Sequence, residues 1–336
     1  MENLGLIIVI ILILWAEFVN GWTDAPNAIA TCVSTRVLLP IQAVIMASLL
    51  NIAGVLLAGT SVAMTIGKGI VEPSVIDLTT ISAAMLGIII FSSITWYFGL
   101  PTSESHALVS GLAGAGLAKA GPSVLVAAGW KKVFIGLLFS TFLGFFGGLF
   151  IMLLVYKLFR KVHQKKIRMI FSKLQILSSA FMSFSHGTND GQKFIGVFAL
   201  SLVLCGIIPM EEFKDKSFQI PVWIILVCSI VMGIGTALGG WRIIKTMGFK
   251  ITKLEAVHGF SAETGAALTI EIASRLGIPL STTHTINTSI MGVGSIRRLS
   301  AVRWGVTNQI IAAWLLTFPV CGLIAFIVTK IVTLVL

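Results

Sequence analysis

"GLPTSESHALVSGLAGAG" (residues 99–116) aligns without a gap with "GIPLSTTHTINTSIMGVG" (residues 277–294). Gly99/Gly277, Pro101/Pro279, Ser103/Ser281, His106/His284, Gly114/Gly292 and Gly116/Gly294 are identical, and Ser105 faces Thr283. Proline is favoured at the start of a helix and disfavoured inside one. With Gly99 and Gly277 breaking whatever precedes, the spacing predicts a new helix opening near each proline. A second pair, "FVNGWTDAPNAIA" (18–30) and "FSHGTNDGQKFIG" (184–196), keeps Phe18/Phe184, Gly21/Gly187, Asp24/Asp190 and Ile29/Ile195. Both pairs occur in the same order, which is the signature of an internal repeat. One half is expected over residues 1–156 and the other over 169–336, joined by a basic linker at 157–168.

Composition places this repeat in a membrane. The chain has 336 residues, 56% hydrophobic and 11% charged, where ordinary globular chains carry about 25% charged residues. Stretches such as "IQAVIMASLLNIAGVLLAGTSVAM" and "IPVWIILVCSIVMGIGTALGGW" reach the ~20 apolar residues needed to cross a bilayer as helix. No basic region precedes the first apolar run, so a cleaved leader is not expected. The net charge of +11 does not point to nucleic acid, because the basic residues lie between apolar segments. "KLFRKVHQKKIR" (157–168) holds six of them, and Arg242, Lys245, Lys250, Lys253 and Arg297, Arg298, Arg303 form further clusters. Cytoplasmic loops of membrane proteins have this character. Cys32, Cys205, Cys228 and Cys321 lack metal spacing and read as small core residues.

Matched loops differ in charge. The basic 242–253 loop corresponds to residues 64–75, with one Lys and one Glu, and 297–303 corresponds to 119–125, with one Lys. If basic loops are cytoplasmic, their first-half counterparts lie outside. Five crossing units per half then give an inverted repeat, with both termini outside and the 157–168 loop in the cytoplasm. The expected fold is therefore an all-α polytopic membrane protein of two inverted repeats with broken or re-entrant helices and a central midplane site. Inverted repeats of this kind recur in transporters.

The polar motifs suggest what such a site would hold. A helix starting within the membrane leaves unpaired N–H groups and partial positive charge at its first turn. Thr102, Ser103, Ser105, Ser281, Thr282 and Thr283 add hydroxyls there, so the two starts together would cradle a tetrahedral oxyanion. Helix capping and packing by small polar residues is the plain alternative for one motif. The gapless duplication favours the cradle. Pro101 and Pro279 set the helix starts, and His106 and His284 would either donate to the anion or pin the helix to a neighbour. Glu104 matches Thr282, and a carboxylate there would repel an anion unless it held a cation.

Asp24 and Asp190 each lie in an apolar segment expected to break at Gly21 and Gly187. A carboxylate at membrane depth is costly and a functional candidate by default. Asp24 with Thr23 and Asn27, and Asp190 with Asn189 and Gln192, offer hard oxygen ligands suited to Na⁺. A proton-carrying role for the aspartates competes, as does helix capping. Glu17, Glu255, His258, Glu263 and Glu271 are further buried-segment charges without a fixed reading.

At these residues the sequence resembles the inorganic phosphate transporter (PiT) family, prokaryotic sodium/phosphate symporter type. "NGWTDAPNAIATCVSTR" (20–36) and "SHGTNDGQKFIG" (185–196) resemble the two copies of its signature. "LPTSESHALVSGLAGAG" and "KLEAVHGFSAETGAALTIEIASRLGIPLSTTH" (253–284) resemble it too. The Gly-Ala-Asn-Asp core departs at Trp22, Thr23 and Thr188, and the large hydrophilic loop of some members is replaced by the short linker. The resemblance implies a transporter in the cell (plasma or inner) membrane, not an enzyme. It implies symport of inorganic phosphate with Na⁺ or H⁺, with no cofactor, Na⁺ being the coupling ion. The family also contains sulfate permeases. Two Na⁺ would neutralise divalent phosphate, one at each aspartate. A passive anion channel would not need the paired aspartates. The lipid bilayer is the expected surrounding, nucleic acid is not a partner, and a homodimer stays open.

Overall fold

The computed structural model describes residues 2–215, 218–296 and 298–335; Arg297 lies outside them. The first half contains α1 (Glu2–Ser34), α2 (Pro40–Leu57), α3 (Ser61–Gly69), α4 (Leu78–Phe98), α5 (Glu104–Ala120), α6 (Ala127–Leu138) and α7 (Gly144–Phe159). The second contains α8 (Gln164–Leu204), α9 (Met210–Lys214), α10 (Val222–Leu238), α11 (Trp241–Lys245), α12 (Ala256–Arg275), α13 (Thr282–Ser295) and α14 (Trp304–Val335). A π-helical turn, Phe139–Leu143, joins α6 to α7. The described residues are nearly all helical, with one isolated bridge between Val71 and Leu125.

Among the described residues, five helices are long and apolar enough to cross a membrane, or six if α10 and the segment Trp241–Lys250, bent by 57°, count as one span. Ile7, Phe98, Phe150, Leu177, Val222 and Leu315 are large apolar side chains left exposed around the outside, as lipid contact requires. The chain is a multi-pass membrane protein. The serines, threonines and aspartates of the two aligned motif pairs are buried in the interior instead.

The two proline motifs behave as the sequence predicts. Gly99 (φ 67°) and Gly277 (φ 63°) adopt the left-handed conformation that ends α4 and α12, a position glycine takes without a Cβ clash. The chain then passes through Pro101 and Pro279 outside any helix, and Ser103 and Ser281 are extended. Ser103 and Ser281 cap the new helices, their hydroxyl oxygens accepting from the His106 N–H (3.3 Å) and the His284 N–H (3.1 Å). The prolines thus precede each helix start by a few residues rather than occupying the first turn.

The aspartate motifs correct the expectation of a break. α1 runs unbroken through Gly21, Asp24 and Pro26, and α8 through Gly187 and Asp190. The glycines serve close packing. A Cβ on Gly21 would sit 2.3 Å from the Met232 carbonyl oxygen of α10, and one on Gly187 would sit 2.3 Å from the Asn51 carbonyl oxygen of α2. The reverse contacts match as well: a Cβ on Gly235 of α10 or on Gly54 of α2 would lie 2.2 Å from the carbonyl oxygen of Phe18 or Phe184. Small residues let membrane helices approach this closely. The same contact is therefore made twice, each time between halves: α1 on α10, α8 on α2. α14 likewise packs on α4 and α5, while α7 packs on α12 and α13.

Candidate functional site

The two short helices α5 and α13 begin beside each other. The Ser105 hydroxyl donates to the Leu280 carbonyl (2.7 Å), tying one start to the other. The imidazoles of His106 and His284 meet edge to face with centroids 4.7 Å apart. His284 stacks on Trp314 (3.9 Å) and His106 leans on Phe318 (4.8 Å). All four ring nitrogens are buried without a hydrogen-bond partner. The Trp314 indole N–H donates to the Pro101 carbonyl (2.9 Å), anchoring the first proline motif to α14.

Asp24 of α1 and Asp190 of α8 reach this junction from opposite halves. One oxygen of each and a His186 ring nitrogen lie within 4.8 Å of one another, all buried. The carboxylates therefore converge on one place, where the sequence suggested one cation site per aspartate. The Thr282 hydroxyl donates to Asp190 Oδ2 (2.6 Å), and the Thr283 hydroxyl donates to Asp24 Oδ1 (3.1 Å). Asn27 donates from its amide to Thr283 Oγ1 (2.9 Å) and Thr282 Oγ1 (3.2 Å). The hydroxyls of α13 thus stand between the helix start and both carboxylates.

Other expected ligands are used differently. Gln192 is engaged away from the carboxylates: its Oε1 accepts from the backbone N–H groups of Val62 (2.9 Å) and Ala63 (3.3 Å), capping α3. The single Thr23 hydroxyl proton lies within reach of both the Val19 carbonyl (2.8 Å) and Glu104 Oε1 (2.9 Å), and the Ser92 hydroxyl donates to the other Glu104 oxygen (2.7 Å). Glu104 is thereby held by hydroxyls within the first half. Asn189 donates to Ser274 (3.0 Å) and to the Ile278 carbonyl (3.3 Å), while its buried Oδ1 has no partner. That oxygen retains a lone pair for a cation. Thr102 pairs with Thr95 (3.0 Å), and Ser103 and Ser281 serve as caps. Ser105, Thr282 and Thr283 are left as the hydroxyls nearest the carboxylates.

Two residues escaped the sequence reading. His186 lies with Nε2 3.0 Å from Asp190 Oδ2, at ion-pair distance but without hydrogen-bond alignment, and its Nδ1 is 3.2 Å from Asn51 Oδ1. Lys193 is fully buried, and its ammonium hydrogen-bonds both Asp190 Oδ1 and the Ser105 hydroxyl. Its signal is present in the sequence, since Lys193 lies within "SHGTNDGQKFIG" and falls opposite Asn27 in the repeat register. Glu263 forms a separate buried cluster with Thr31, Ser178 and Gln175 (3.2 Å).

The model of the phosphate transporter family matches residues 20–325. A probable low-affinity inorganic phosphate transporter of Rhizobium meliloti (strain 1021) is 45% identical over 93% of this chain and 92% of its own length. A protein of the same description from Bacillus subtilis (strain 168) is 37% identical over 97% of both chains. A solved structure titled the sodium-dependent phosphate transporter superposes with a TM-score of 0.87 at 26% identity, covering 99% of this chain and 100% of that one. These relatives are described as transporters, not enzymes.

Proposed function

The chain belongs to the phosphate transporter family, and on that premise we propose that it imports inorganic phosphate by Na⁺ symport, with alternating access between its two halves. The observation that carries this reading is the sharing of hydroxyls. Thr282 and Thr283 stand at the start of α13, where an oxyanion would bind, and donate to the two carboxylates of the junction, Asp190 and Asp24, of which Asp24 carries no ammonium and is free for a cation. A hydroxyl has one proton to donate. Na⁺ on Asp24 competes for the lone pair that the Thr283 proton now fills, releasing that hydroxyl toward phosphate. Phosphate in turn brings negative charge next to Na⁺. Each ligand thus strengthens the binding of the other, as linkage requires.

Ser105 at the start of α5 completes the anion cradle from the other half. Its contact with the Leu280 carbonyl keeps the two helix starts together, so phosphate binding and the relation between the halves are joined at one bond. The unpartnered Asn189 Oδ1 supplies a neutral oxygen for the cation. In this reading the halves are inverted repeats with the site near the bilayer midplane. The termini lie outside and the 157–168 linker lies in the cytoplasm.

Phosphate at neutral pH still carries a proton and needs an acceptor, whereas sulfate offers none. Sites built around such a partner reject the analogue lacking it. Labelled-phosphate uptake into proteoliposomes tests both parts. An inward Na⁺ gradient is expected to drive concentrative uptake, and a tenfold excess of sulfate is expected to leave it nearly unchanged. Uptake driven only by a proton gradient would refute sodium coupling. Sulfate competing as well as unlabelled phosphate would refute the choice of anion.

A further inference from the structure

On the premise of cation-coupled transport, we propose that Lys193 is a built-in cation that stands in for one coupling Na⁺ in the second half of the site. The repeat register that pairs Asp24 with Asp190 pairs Asn27 with Lys193. The two side chains make equivalent contacts. Asn27 Nδ2 donates to Thr283 Oγ1 (2.9 Å), and Lys193 Nζ donates to Ser105 Oγ, the hydroxyl that matches Thr283. One half thus presents a neutral amide to its hydroxyl and the other a full positive charge.

That charge sits where a cation would. Lys193 Nζ occupies Asp190 Oδ1, and Thr282 donates to Oδ2 with His186 Nε2 3.0 Å away. Both oxygens of Asp190 are therefore engaged by groups of the protein itself. Burying an ammonium is costly unless partners offset the lost hydration. A purely architectural contact between α8 and α5 could be made by an amide, as Asn27 does on α13. The ammonium supplies positive charge to a bound phosphate, yet it cannot leave with the cargo. A transporter with one tethered cation returns less of the sodium gradient as phosphate accumulation, by one factor of the Na⁺ concentration ratio.

The test is the ratio of ²²Na⁺ to ³²P-orthophosphate entering proteoliposomes. Lys193→Asn, which makes the second half match the first, is expected to carry one more Na⁺ per phosphate than the wild-type protein. An unchanged ratio overturns the proposal. If wild-type uptake takes no Na⁺ and Lys193→Asn gains one, the role of Lys193 stands while sodium symport by the wild-type protein falls. Should Lys193→Asn fail to fold, the double variant Asp190→Asn/Lys193→Gln removes both charges at once, a change that buried ion pairs often tolerate. Purified, it is expected to bind as many ²²Na⁺ as the wild-type protein. One fewer bound Na⁺ would make Asp190 a sodium ligand and overturn the proposal.

Discussion

Asp24→Asn is expected to abolish sodium-driven phosphate uptake while the protein still inserts and purifies as a single species. The substitution keeps the size of the side chain and an oxygen to accept from Thr283, which lies 3.1 Å from Asp24 Oδ1. It removes the carboxylate of the junction that carries no ammonium. A charge-assisted interaction of this type contributes about 1.5–3 kcal/mol, so Na⁺ affinity should fall by on the order of a hundredfold at the upper end of that range. Folding is spared because a buried carboxylate without its own cationic partner is exchanged for a neutral isostere. The readout is initial uptake rate against Na⁺ concentration in proteoliposomes. Wild-type sodium dependence in the variant would remove Asp24 from the cation site.

Asp190→Asn should do more damage, and of a different kind. Asp190 is fully buried beside the fully buried Lys193. Removing the acid leaves an ammonium without its carboxylate, and breaking a buried pair in this way costs about 3–5 kcal/mol. The variant should lose uptake and also unfold at clearly lower temperature than Asp24→Asn in the same detergent. Adding Lys193→Gln should restore most of the thermal stability without restoring wild-type transport. If Asp24→Asn and Asp190→Asn were equally stable, the pair between Asp190 and Lys193 would not be the structural element described above.

Much of this architecture was legible in the sequence, and the parts that were not have physical reasons. The gapless match of residues 99–116 with 277–294 located the starts of α5 and α13, because a glycine that ends one helix and a serine that caps the next are local signals. The glycines of the aspartate motifs were misread for the converse reason. Gly21 and Gly187 look like breaks from their neighbours in sequence, yet their role is to admit the Met232 and Asn51 carbonyls of helices far away in the chain. Close approach is a tertiary property, and with partners packed so tightly the helix continues. Gln192 is a similar case: its amide looks like a ligand beside Asp190 until α3 folds against it and takes the oxygen. Lys193 was overlooked although the repeat places it opposite Asn27. A charge difference between matched positions is informative only once each is known to reach one of two matched hydroxyls, Asn27 that of Thr283 and Lys193 that of Ser105.

Those hydroxyls give the most direct test of a single anion site shared by the two halves. Equilibrium binding of ³²P-orthophosphate to purified protein should be measured for Ser105→Ala and for Thr283→Ala, each in saturating Na⁺. Both substitutions should weaken phosphate binding by comparable factors, since Ser105 and Thr283 are matched positions at the starts of α5 and α13. Loss of binding in one variant with full affinity in the other would place the anion in one half alone and contradict the shared cradle.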